Sequence, residues 1–312
     1  MALYIPDDDR SKEILDGVID LHCHAGPCIY GKEFDEIQTA RMMRSVGYRG
    51  VLFKQHVMGA NRIEFVRQAV PGIEVFGSLA LNNSPGGLNP VSGAAAINFG
   101  ARAVKFPNIH AAHHRKVFGT PTYADIPSTA GDEMEARIAA MTPEGITIFD
   151  ENGKIKDEVH EILQLIAEAD IGVETGHLSP KEALALVKEA KKKGVRRVWQ
   201  THGNWKALYD YTGSQLSEIA DAGAYIELTA NCSYPSVSQL DPDFGPAYTA
   251  MIIKEVGAHR CTMGSDLGTV GRGNPVEGMR VFIHTLMIQK GIKREDINVM
   301  AKENPAYLMG LE

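Results

Sequence analysis

Eight short runs rich in aliphatic and β-branched residues, most followed by a segment with helical spacing, constrain this chain more than any other feature. The runs are GVIDLH (17–22), GVLFKQ (50–55), IEVFGSLA (73–80), ARAVKF (101–106), IGVET (171–175), RRVWQT (196–201), AYIELT (224–229) and RCTMGS (260–265). Between most of them apolar residues recur near a period of 3.6. In EFDEIQTARMMRSVG (33–47), for example, Phe34, Ile37, Ala40, Met43 and Val46 follow that spacing. SPKEALALVKEAKKKG (179–194) carries full helix punctuation. Ser179 is the N-cap, Pro180 takes the first position, Glu182 completes a capping box, and Gly194 follows a lysine-rich last turn. Strand–helix alternation with short connections demands parallel pairing, because each crossover returns the chain to the same end of the sheet. Eight repeats in 312 residues predict an α/β fold, a closed (β/α)8 TIM barrel. An open doubly wound sheet is the competitor, but the glycine fingerprint it needs after its first strand is missing.

The chain reads as one barrel domain, 1–312, with one long connection, 108–156, between strands four and five. That connection holds a predicted helix (131–141) and a hairpin-like GITIFDENGKI (145–155), whose Glu-Asn-Gly turn joins two alternating arms. An insert at this end of a barrel is expected to lie over the mouth as a partial lid.

Composition narrows the partners. The chain has 44% hydrophobic and 23% charged residues, as an ordinary globular protein does. A formal charge of −7 without a basic stripe argues against nucleic acid. No apolar run approaches a membrane span, and the start, MALYIPDDDR, has no secretory h-region. The four cysteines, Cys23, Cys28, Cys232 and Cys261, lack CxxC spacing. These features together predict a cytoplasmic protein with reduced thiols.

Catalytic groups of a barrel come from the C-terminal ends of its strands. Strand one ends in His22 and His24, which share a face because side chains alternate. Strand two gives Lys54 and His56, strand four Lys105, strand five His177, strand six His202 and strand eight Asp266. Glu227 on strand seven is a weaker candidate. Taken singly, each has an ordinary structural explanation, such as a hydrogen-bonded core histidine or a helix cap. Taken together, four imidazoles and a carboxylate around one rim are costly to desolvate without a compensating cation. Such donors suit Zn²⁺ first, with Mn²⁺, Fe²⁺ or Co²⁺ also compatible.

His-x-His after strand one, His after strands five and six, and Asp after strand eight resembles the amidohydrolase superfamily of metal-dependent hydrolases. ENPAYLMGL (303–311) is similar to the closing segment of those enzymes. LHCHAGP, FKQH, GGLNP, ETGHLSP and GSDLG look like an uncharacterised amidohydrolase-like group. The resemblance implies one or two divalent metals per chain. His22 and His24 would hold the more buried ion and His177 and His202 a second. Asp266 would contact the ion and the attacking water, taking its proton and passing it to the leaving group. In two-metal members a carboxylated lysine or a glutamate at the end of strand four bridges the ions, where Lys105 stands. In the closest-looking group the Lys-x-His of strand two is the more characteristic feature. Lys54 is therefore the first candidate, as a carbamate or a charged substrate contact, and Lys105 the second. Pairing of either lysine with Asp20 or Glu174 is the structural alternative, and a single-metal site is expected if neither is carboxylated.

His56, His114, Arg115 and Arg272 are the expected substrate contacts, and the cationic ones suit a small anionic substrate. The expected activity is hydrolysis of a small-molecule C–N, C–O or P–O bond. A lyase (decarboxylase or hydratase) on the same metal barrel is the alternative, and a catalytically inactive metal-binding protein is the third reading. Barrels of this kind commonly self-associate, so a homo-oligomer is expected.

Overall fold

All eight predicted runs form strands. The structure is a computed structural model and describes residues 13–119, 144–233 and 245–311. The strands are β1 Ile19–Cys23, β2 Gly50–Phe53, β3 Glu74–Ala80, β4 Ala103–Lys105, β5 Gly172–Glu174, β6 Arg197–Gln200, β7 Tyr225–Thr229 and β8 Cys261–Gly264. They form one sheet in sequence order, every neighbouring pair parallel. The helices among the described residues are α1 Glu36–Ser45, α2 Ile63–Ala69, α3 Pro90–Asn98, α4 Ala112–Phe118, α5 Asp157–Glu168, α6 Pro180–Lys192, α7 Lys206–Tyr209, α8 Gly213–Asp221, α9 Pro246–Val256, α10 Pro275–Lys290, α11 Arg294–Asn298 and α12 Asn304–Met309. The punctuation read for 179–194 is realised at α6, where Ser179 and Glu182 close a reciprocal capping box.

The seam between β1 and β8 is closed at the C-terminal rim. His24 N–H donates to Leu267 O at 2.9 Å, and Asp266 N–H donates to His22 O at 2.5 Å. Deeper in the seam, Asp20 Oδ1 accepts from the N–H groups of both His22 and Ser265, each at 2.9 Å. A side chain thus replaces part of a backbone ladder, and it does so where three candidate ligands lie.

β1 also carries a bulge. Asp20 and Cys23 pair with Val51 and Phe53, so three steps on β1 match two on β2. Ile19 and Leu21 belong to the inner cluster and Cys23 to the outer one, while His22 reaches groups from β7 and β8 across the interior. Regular alternation would put Leu21 and His22 on opposite faces; the bulge turns both inward.

The inner cluster fills the N-terminal half of the barrel with Ile19, Leu21, Leu52, Phe76, Ala103 and Trp199, plugged by Ala306, Leu308 and Met309 of α12. Trp199 fits because β5 offers Gly172 beside it; a Cβ there would lie 2.4 Å from the indole. The closing NPA segment is therefore a floor, and the polar residues occupy the opposite end.

The long connection is seen in part. Ala111 bridges Ile146, and Phe149 pairs antiparallel with Ile155, which forms the expected hairpin. Glu182 of the α6 capping box also accepts from Thr147 Oγ1 at 2.6 Å and Ile148 N–H at 3.1 Å, tying that hairpin to the loop that carries His177. The helix expected over 131–141 lies outside the described residues. No helix of the described residues is long and apolar enough to cross a membrane.

Candidate metal centre

The ligand atoms of His22, His202 and Asp266 lie within 4.8 Å of one another, and all three residues are buried. His24 joins them, its Nε2 3.0 Å from Asp266 Oδ1. Asp266 Oδ1 is also 3.3 Å from His22 Nε2, and its Oδ2 accepts from Asn231 Nδ2 at 2.8 Å. Six imidazoles run continuously around the rim: His56 on His24 (5.1 Å between ring centres), His24 to His22 (5.3 Å), His22 to His202 (4.6 Å), His202 to His177 (5.2 Å) and His177 to His114 (4.8 Å).

Each candidate histidine is held from behind through Nδ1. His22 Nδ1 faces Glu227 Oε2 at 3.0 Å, His24 Nδ1 faces Lys54 O at 2.7 Å, His202 Nδ1 faces Thr229 Oγ1 at 3.3 Å, and His177 Nδ1 faces His114 Nδ1 at 2.9 Å. In the tautomers that donate outward, Nε2 is left as an acceptor. His22 Nε2 and His177 Nε2 are buried and make no hydrogen bond among the described residues. Buried imidazoles braced through Nδ1, two of them with an orphaned Nε2, supply the kind of donors that a divalent metal needs. The residues fit a metal ion.

Burial keeps these rings neutral. It pushes His22, His177 and His202 well below the ordinary imidazole range, reinforced at His22 by Lys54 and at His177 by His114; His24 falls to about 4. Burial opposes the charge on Asp266, but its interactions with the rings of His22, His202 and His24 together hold the carboxyl well below its usual range. His202 and Asp266 also have left-handed backbones, φ 54° and 55°, a conformation that costs a non-glycine residue about 1–3 kcal/mol. Both lie just past the ends of β6 and β8, where the chain must turn over the mouth.

The two lysines differ. Lys54 Nζ lies 2.5 Å from Glu174 Oε2 and 2.8 Å from Glu227 Oε1. Burial works against its charge, but those two carboxylates together keep the ammonium protonated beyond the usual range. A carbamate there would place a third negative group against two, so the expectation that Lys54 is a bridging carbamate does not fit its surroundings. Its partners are Glu174, one of the two expected, and Glu227. Lys105 is 2% exposed, and its side chain has no hydrogen bond or ion pair among the described residues.

The expected substrate contacts fall into two groups. His56 is half-buried, stacked on His24 and 3.5 Å from Cys28 Sγ, and His114 backs His177. Arg115 is half-buried on α4, its charge felt by His110 and His114, whereas Arg272 is exposed at the rim. Asn231, Thr229 and Lys32 carry no sequence signal of their own. Glu227 could have been ranked higher by parity, since Ile226 and Leu228 beside it face the outer core.

Residues 17–227 match a family of unknown function, DUF6282. The chain belongs to that family. No curated protein matches its sequence. Among solved structures it is similar to an amidohydrolase from Pseudomonas aeruginosa (12% identity, 96% of this chain and 98% of that one, TM-score 0.60). It is also similar to a phosphotriesterase homology protein from Escherichia coli, complexed with phosphate in its active site (16%, 94% and 99%, TM-score 0.53). A third is a probable 2-pyrone-4,6-dicarboxylic acid hydrolase from Acinetobacter baumannii with citric acid bound (13%, 94% and 99%, TM-score 0.56). At these identities the likeness is one of fold, and it bears out the closed (β/α)8 barrel expected for this member of the family.

Proposed function

We propose that the protein is a metal-dependent hydrolase acting on a small molecule. The observation that carries this reading is the buried Nε2 of His22, without a hydrogen bond among the described residues, beside His24, His202 and Asp266, each imidazole braced from behind. These four residues would hold a divalent cation, Zn²⁺ first by donor type, with His177 adjoining them. When bound, such an ion acts as a Lewis acid that polarises the scissile group and makes hydroxide available near neutral pH. Solved relatives of the fold described as hydrolases support the reaction class.

The chain's own residues supply the rest. Asp266, held ionised, accepts a proton from the attacking water as the water oxygen bonds to the carbonyl carbon or phosphorus. It returns that proton to the departing nitrogen or oxygen as the old bond breaks. Asn231 fixes the second carboxylate oxygen, so the proton-accepting lone pairs keep one orientation. Lys54 acts as a fixed ammonium that neutralises Glu174 and Glu227 beneath the centre. The beginning of the 108–156 insert supplies a wall: Phe118 stacks on Trp205 at 5.3 Å, and Trp205 meets His177 and His202 edge-on. We take that insert as a partial lid on a single barrel domain.

Metal content per chain, measured by plasma mass spectrometry on protein purified without chelator, tests the centre. One or two equivalents in the wild type, lost in His22→Ala, are expected. No metal after incubation with Zn²⁺ or Mn²⁺ would sink the reading.

A further inference from the structure

Lys105 and Lys32 stand apart from every other buried or half-buried cation near the mouth. The barrel neutralises Lys54 with two carboxylates. It gives Lys105, on β4, none within 4 Å among the described residues, although that side chain is 2% exposed. Lys32 lies on the loop after β1. That loop is fastened to the loop after β8 by Glu33 N–H to Gly268 O at 3.0 Å and Val270 N–H to Gly31 O at 3.2 Å. The half-buried Lys32 side chain donates to Thr269 Oγ1 at 2.8 Å and passes over the Tyr30 ring at 5.9 Å, with no carboxylate partner among the described residues. Asp266, the acid whose charge both lysines feel, is already engaged by His24 and Asn231.

We propose that Lys32 and Lys105 are two fixed cations that together hold an oxyanion of the substrate, a carboxylate or a phosphate, over the candidate centre. A buried ammonium without a counter-ion is costly. A site that meets an anion only when substrate arrives turns that cost into recognition. The two side chains reach the same mouth: Lys105 shares a face of β4 with the inward-facing Ala103, and Lys32 passes over Tyr30, whose ring meets His56 edge-on at 4.5 Å beside His24. Burial and then Lys54 draw Lys105 itself down to about 8, as befits an ammonium that lacks a counter-ion. Lys32 was passed over in the sequence because it follows the strand end by several residues; the pairing of two loops brings it back. The inference rests on the hydrolase reading for what is cleaved, but not for what is bound.

Calorimetric titration of the full chain tests it, in metal-free and Zn²⁺-loaded forms, with succinate, inorganic phosphate and uncharged succinamide. An oxyanion is expected to bind the wild type and succinamide not to. Lys32→Gln and Lys105→Gln should each weaken oxyanion binding by roughly tenfold or more, while Lys105→Arg retains it. Whichever of succinate and phosphate binds more tightly names the source of the oxyanion. Unchanged oxyanion binding in both glutamine variants, or equal binding of succinamide, overturns the proposal. Should Lys105→Gln not fold, Lys32→Gln carries the test from its half-buried loop position. A protein that takes up no metal yet shows this lysine dependence loses the hydrolase reading alone. One that loads metal but ignores oxyanions loses this inference alone.

Discussion

Glu227 Oε2 lies 3.0 Å from Nδ1 of His22, coupling a carboxylate of β7 to an imidazole of β1 across the barrel. The other oxygen of Glu227 takes the Lys54 ammonium at 2.8 Å. Orientation of a candidate ligand ring and neutralisation of a buried cation thus depend on one side chain. Glu227→Gln should bind metal roughly 10- to 100-fold more weakly, because a carboxylate behind an imidazole both fixes its tautomer and raises its basicity. Competition against a chromophoric chelator measures this. Unchanged affinity would mean that the contact does not orient His22.

Lys54→Met should destabilise the fold by roughly 3–5 kcal/mol, the range for removing one partner of a buried ion pair, since Glu174 and Glu227 would be left facing each other without a cation. Urea unfolding of the metal-free protein gives the number. A loss below about 1 kcal/mol, the scale of an exposed pair, would return Lys54 to the role of a substrate contact.

Acid should unfold the metal-free protein early. His22, His56, His177 and His202 are held well below the ordinary range by burial, and His24, His110 and His114 are lowered to about 4, chiefly by burial. The unfolded chain takes up these protons near pH 6.5, which the folded one refuses. Their contribution is therefore present above about pH 6.5 and lost as pH falls toward 4. Asp20, raised to about 6 mainly by burial, runs the other way: its contribution is present below the ordinary aspartate range and lost as pH rises through 6. Burial raises Glu36 and Glu174 in the same direction, so three carboxyls stand against seven imidazoles. Thermal melts between pH 7.5 and 4.5 should show a steep fall in Tm below 6.5, and a flat profile would contradict the assignment of these rings as neutral and buried.

Gly176→Ala should cost stability and weaken metal binding together. Gly176 has φ 64°, and a Cβ there would lie 2.1 Å from Phe106 O, so the residue before His177 has no room for a side chain. The left-handed backbone alone costs about 1–3 kcal/mol for alanine. The clash pushes the His177 loop away from His202. A lower urea midpoint with wild-type metal content would show that His177 stands outside the centre.

Much of the site was legible in the sequence because barrel geometry links strand ends to one rim. His22, His24, His177, His202 and Asp266 could be picked from the ends of four runs and the residues just past them, and the structure gathers them. The insert was harder to read. Its hairpin followed from local turn chemistry, but nothing local says that His114 ends 2.9 Å from His177 or that Glu182 holds Thr147. The roles of Lys54 and Lys105 were not legible for a related reason: the charge state of an interior lysine depends on carboxylates from other strands.

Periodicity and strand-end chemistry by themselves determined the (β/α)8 order, the polar rim and the identity of its imidazoles, because these depend on spacing along one chain segment. The tertiary structure alone decided the inward turn of His22 at a bulge, the pairing of Lys54 with Glu174 and Glu227, and the want of a carboxylate partner, among the described residues, at Lys105 and Lys32. Each of those depends on the register of strands or loops that closure of the barrel brings together, and on fields between charges far apart in the chain, which local pattern does not carry.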